Sequence, residues 1–61
     1  MNKEFIVHVK FGEDARAALV ESVPVVVPVG TAEEIILQTA IKLIDGRLDL
    51  GHRVFAASVK L

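Results

Sequence analysis

Val23-Pro24-Val25-Val26-Val27-Pro28-Val29 places five valines and two prolines in seven residues. Read as a strand, it lines Val23, Val25, Val27 and Val29 along one face and Pro24, Val26 and Pro28 along the other. Proline has no N–H to give a sheet ladder. Such a strand therefore belongs at an edge, with its proline nitrogens turned away from the neighbouring strand. An apolar edge invites pairing with other chains unless it is blunted or covered. The prolines blunt this one, and the rest of the chain carries enough apolar surface to need covering.

Upstream, Phe5-Ile6-Val7-His8-Val9-Lys10-Phe11 alternates with period two. Phe5, Val7, Val9 and Phe11 form an inward face, and Ile6, His8 and Lys10 an outward one. Gly12-Glu13-Asp14 reads as a turn. Ala15 to Leu19 is ambiguous, since its composition suits a helical turn while it runs directly into the valine segment. The favoured reading is a second strand from about Ala18 to Val29, paired back on the first and bent or bulged near Ser22 to Pro24.

Downstream, Gly30 lets the chain leave the strand, and Thr31-Ala32-Glu33-Glu34 has the form of a capping box. The helix is predicted from Ala32 to about Ile44, with Asp45-Gly46 as its stop. Its polar stripe is narrow: Glu34, Gln38, Lys42 and Asp45. Ile36, Leu37, Ala40, Ile41, Leu43 and Ile44 cover most of the remaining circumference, with Ile35 and Thr39 at the margin. A helix on one small sheet needs an apolar arc of only about 100°. The surplus predicts one flank against the chain's own sheet and another against a partner; a strongly curved sheet wrapping the helix is the alternative. Arg47 to Gly51 reads as a loop with Leu48 or Leu50 tucked inward. In the last strand, Phe55, Ala57, Val59 and Leu61 are predicted to face inward, and Val54, Ala56, Ser58 and Lys60 outward.

The predicted fold is a single α+β domain over residues 1–61: a small two-layer sandwich in β-β-α-β order, with one helix on a three-stranded, largely antiparallel sheet. A chain of 61 residues buries only about 60% of the surface its unfolded form exposes. Domains this small are commonly reinforced by disulfides, metal or oligomerisation. The sequence has no cysteine and two histidines, which excludes disulfides and thiolate sites and leaves too few ligands for a zinc site unless carboxylates or a second subunit contribute. Oligomerisation is the remaining reinforcement. The apolar fraction of 52% and mean hydropathy of +0.52 agree with it.

No apolar run approaches the roughly 18 residues of a membrane span, and Phe5–Val9 is too short for the apolar core of a signal peptide. A cytoplasmic protein with no membrane partner is expected. Seven basic and eight acidic residues leave a net charge of −1. Lys3, Lys10, Arg16, Lys42, Arg47, Arg53 and Lys60 are scattered, with no aromatic residue among them to stack on bases. That argues against nucleic acid, except through an oligomer that aligns the bases into one stripe.

Sites are few. His8 reads as a solvent-facing or interface residue. Gly51-His52-Arg53 could present cationic donors to an anion. Glu13-Asp14 and Asp45 with Asp49 are carboxylate pairs at turns and helix ends, where such residues serve local hydrogen bonding. The N-terminus of the helix could hold an anion, but Glu33 and Glu34 occupy that end. No catalytic, metal or phosphate-binding motif occurs, and no catalytic residue, metal or cofactor is expected. Ile6, Val26, Val54 and Ala56 should instead form an apolar outer sheet face, larger than a monomer leaves bare, with Ile35 and Thr39 adding a helical margin.

The expected function is that of a non-enzymatic, homo-oligomeric protein-interaction module. It would present a surface to another protein, as a small bacterial or viral regulator or inhibitor does, with Phe5, Phe11 or Phe55 as anchors if they lie outside the core. The alternative is an oligomeric binder of a small anionic ligand or nucleotide at a subunit interface, using His52, Arg53, Arg47 and Arg16.

Overall fold

The valine-proline stretch lies in β2 (Leu19–Pro28), an edge strand of a three-stranded antiparallel sheet in the computed structural model, which describes residues 1–48 and 51–60. β1 (Asn2–Gly12) is central and β3 (Arg53–Val59) forms the other edge. The helix α1 (Glu33–Asp45) joins β2 to β3 and packs on one face, giving the β-β-α-β two-layer sandwich.

β1 and β2 pair without interruption from Asn2↔Pro28 to Phe11↔Leu19. Just past the ladder, the Val29 N–H donates to the Met1 carbonyl at 2.9 Å. That parity directs the odd-numbered amides of β2 toward β1 and the even-numbered ones outward. Pro24 and Pro28 are both even, so their missing donors fall on the free edge. The predicted bend near Ser22 to Pro24 is absent because the prolines cost this ladder nothing. The slack is taken up instead in a loop over residues 13–18. There Asp14 Oδ1 accepts from the Arg16 and Ala17 N–H groups at 2.7 and 3.2 Å. Ala15 to Ala18 is thus hairpin loop, neither helix nor strand. Gly12 is needed at its start, since a Cβ there would lie 3.2 Å from Ala18 Cα.

The bulge lies on the other side of the sheet. Lys10 faces Ala56 while Phe11 faces Val54, so Phe55 is the extra residue of β3. Ala57 and Val59 face the core as predicted, but the bulge reverses the phase beyond them. Val54 packs against the core cluster, and Phe55 is absent from the residues that pack against it. The Arg53 guanidinium lies 5.2 Å from the Phe55 ring centroid. Both were predicted the other way round, because strict alternation cannot register an inserted residue. Leu50 and Leu61, predicted inward, lie outside the described residues.

The core is Val7, Val9, Val23, Val25, Ile36, Ala40 and Ile44, flanked by half-buried Phe5, Phe11, Val27, Leu37 and Leu48. Val29 is exposed beyond the end of β2. Helix α1 starts one residue later than predicted. Thr31 Oγ1 donates to the Pro28 carbonyl at 2.6 Å, so no capping box forms. Ala32 stands at the N-cap without a side-chain bond, and Glu33 and Glu34 complement the positive end of the helix. The helix ends near Gly46, as predicted, in right-handed backbone. The next amides tighten the last turn, Arg47 N–H bonding to the Ile44 carbonyl and Leu48 N–H to Asp45.

Val25 is 3% exposed and Val26 61%. In dilute protein, Val25→Ala should lower unfolding free energy by about 2 kcal/mol through lost burial and a cavity; Val26→Ala should change it by less than about 0.5 kcal/mol. Urea unfolding followed by circular dichroism reads both. Gly30 has φ +93° with open space around its Cα, and it closes the turn in which Thr31 N–H donates to the Pro28 carbonyl at 3.1 Å. Gly30→Ala should therefore cost about 1 kcal/mol by backbone strain alone, in the same assay.

Candidate functional site

The face of the sheet opposite α1 is a lattice of alternating side chains. The outward positions are Val20, Ser22, Pro24, Val26 and Pro28 on β2, and Glu4, Ile6, His8 and Lys10 on β1. Ser58 and Ala56 stand opposite His8 and Lys10 on β3. Lys60 joins Ile6, donating its N–H to the Ile6 carbonyl at 2.8 Å.

The predicted outer-face residues divide. Ile6, Val26 and Ala56 occupy this face. Val54 does not: it lies on the core side, turned there by the bulge, and Phe55 takes the outward role at that end. Ile6 is half-buried by its neighbours, while Val26 and Ala56 are exposed. Val20, also exposed, belongs to the same row as Val26, and period-two parity from Val26 back to Val20 already carries that signal.

A polar row crosses the face at its middle. His8 is the cross-strand partner of Ser22 and of Ser58. Ser22 Oγ and His8 Nδ1 are 3.1 Å apart, a contact allowed by the close approach of side chains at non-hydrogen-bonded antiparallel positions. His8 is half-buried, so this bond holds the ring against the sheet.

A second apolar surface runs along the helix. Ile35, Thr39 and Leu43 recur at i, i+4 and i+8 and form one stripe. Ile35 and Leu43 are 56% and 51% exposed, so the sheet does not curve far enough to wrap the helix. Thr39 Oγ1 donates to the Ile35 carbonyl at 2.8 Å, which satisfies its hydroxyl within the helix. Beside the stripe, Leu43, Lys42, Gly46 and Arg47 border an open groove shared with Val23 and Pro24 of β2.

Two of the four candidate anion-binding cations have partners within the chain. Arg47 pairs with Glu21, tying the end of α1 to β2, and Arg53 lies over Phe55. Arg16 is exposed on the hairpin loop, and His52 is half-buried just before β3. A small recess between α1 and the sheet is lined by Phe11, Glu21, Ile44, Arg47 and Leu48. Among the described residues, the charged groups lining it are Glu21 and Arg47, which pair with each other. Of the carboxylate pairs, Asp14 serves its own loop as described, Glu13 and Asp45 are exposed, and Asp49 lies outside the described residues. Among the described residues, no three His, Asp or Glu side chains gather in a way that could hold a metal ion, and no helix is long and apolar enough to cross a membrane.

Comparison of the chain with protein-family models, with curated proteins and with solved structures finds no match.

Proposed function

We propose that this chain is a non-enzymatic interaction module that works as a homo-oligomer and presents the surface of that assembly to another protein. The observation that carries the reading is surplus apolar surface on two sides of a small sandwich: Val20 and Val26 on the outer sheet face, and Ile35 and Leu43 on the helix.

The magnitude supports it. A folded monomer of 6.6 kDa exposes about 3,900 Å² by the usual size scaling, whereas this chain exposes 4519 Å². Part of that excess follows from the elongated 37 × 21 × 15 Å shape; the exposed valines and helix residues are the apolar share that a second copy would cover. Burying it against a second copy offsets the small size of the core, as oligomerisation does in other short domains. Regulation or inhibition by surface presentation is the activity such an assembly would perform.

Light scattering coupled to size-exclusion chromatography, over a dilution series, tests the reading. The expected mass is twice the 6.6 kDa of the chain or a higher multiple, falling toward the monomer on dilution. Val26→Asp should move the transition to higher protein concentration by at least about tenfold, since it buries a carboxylate without a partner. A wild-type mass that stays monomeric throughout the series overturns self-assembly.

A further inference from the structure

We infer that the outer sheet face is built to pack on the same face of a second copy, across a two-fold axis that crosses the strands over Val7 and Val23. The inference rests on the self-assembly reading above and adds a register to it.

The lattice of side chains carries the argument. Val7 and Val23 are cross-strand partners, so a line through them runs perpendicular to both strands. Glu4 and Lys10 lie three residues to either side of Val7, on the outer face of the central strand. Val26 and Val20 lie three residues to either side of Val23, on the same face. A two-fold axis along that line, in the plane between two facing sheets, sets Glu4 of one protomer over Lys10 of its partner, and Lys10 over the partner's Glu4. The same operation sets Val26 over the partner's Val20. Glu4 with Lys10, and the two exposed valines, are thus complementary under one operator, as an isologous interface requires, while Lys60 beside Ile6 falls over the partner's Ser58.

A two-fold axis parallel to the strands and running over β1 sets Glu4 over Glu4 and Lys10 over Lys10. Like charges in apposition are costly and select against it. Within one chain, Glu4 and Lys10 are about 20 Å apart along the strand and cannot pair. Among the described residues the Glu21–Arg47 contact is the one ion pair. Facing sheets lie about 10 Å apart and about 30° off parallel, a span that a lysine and a glutamate reach across together.

Area sets the strength. Three strands about 4.8 Å apart and seven or eight residues long give a face of roughly 14 by 25 Å. Two such faces, with their side-chain relief, bury on the order of 1,000 Å², at the weak end of specific interfaces. The dimer should therefore be weak enough to dissociate on dilution. The Glu4–Lys10 pairs at its ends would set register more than strength.

Charge reversal tests the register. Glu4→Lys and Lys10→Glu should each weaken the dimer by about tenfold or more in sedimentation equilibrium, because each sets like charges together at both ends. The double variant Glu4→Lys/Lys10→Glu restores the complement and should return to within about threefold of the wild type. Both sites are exposed, and unchanged circular dichroism and urea midpoints will show that the variants fold. Single variants that dimerise like the wild type, or a double variant weaker than both singles, overturn this register while leaving self-assembly standing. Loss of the dimer through Ile35→Asp or Leu43→Asp, with Glu4→Lys silent, places the interface on the helix stripe and overturns the inference in the same way. A wild-type monomer at every concentration removes both readings.

Discussion

Two missing N–H groups govern the architecture. Pro24 and Pro28 cannot donate to a ladder, and both occur at positions whose amides point away from β1. β2 can therefore bond on one side only, and the centre of the sheet falls to a strand without proline. β1 has that freedom. Its even-numbered groups serve β3, as the Lys60-to-Ile6 bond indicates, and its odd-numbered groups serve β2. With β2 and β3 on opposite edges, the helix between them has to cross one face, and that face becomes the core.

The edges are consequently unequal. On β2, two of the outward amides are lost to proline, which makes edge-to-edge pairing there poor. The apolar surface of the molecule lies off the edges, on the outer sheet face and the helix flank. β3, the other edge, carries no proline.

The bulge in β3 links packing to surface. By inserting Phe55 opposite the Lys10/Phe11 step, it turns Val54 into the core beside Phe11 and takes Phe55 out of it. A strictly alternating β3 would have put Phe55 inside and Val54 outside. The bulged arrangement fills the core with the smaller residue and leaves an aromatic ring under Arg53. The helix shows the same division of labour. Ile36, Ala40 and Ile44 are buried, and their neighbours Ile35 and Leu43, equally apolar, are left to solvent.

The sequence by itself determined the elements, their order and most of their faces. Alternation placed Val7 and Val9 inside and His8 and Lys10 outside; proline put β2 at an edge; and the width of the helical apolar arc signalled surface beyond what one sheet covers. Each is a local property, readable from spacing and from which backbone groups a residue possesses. The tertiary structure decided what depends on a partner strand or a competing bond. The pairing of β3 with β1, and the bulge that sets Val54 opposite Phe11, depend on the partner strand. The loss of the capping box is set by a hydroxyl that finds Pro28 nearer than the helix. The alignment of Glu4, Lys10, Val20 and Val26 about one line appears only once Val7 is placed opposite Val23, because register couples residues that the sequence keeps apart.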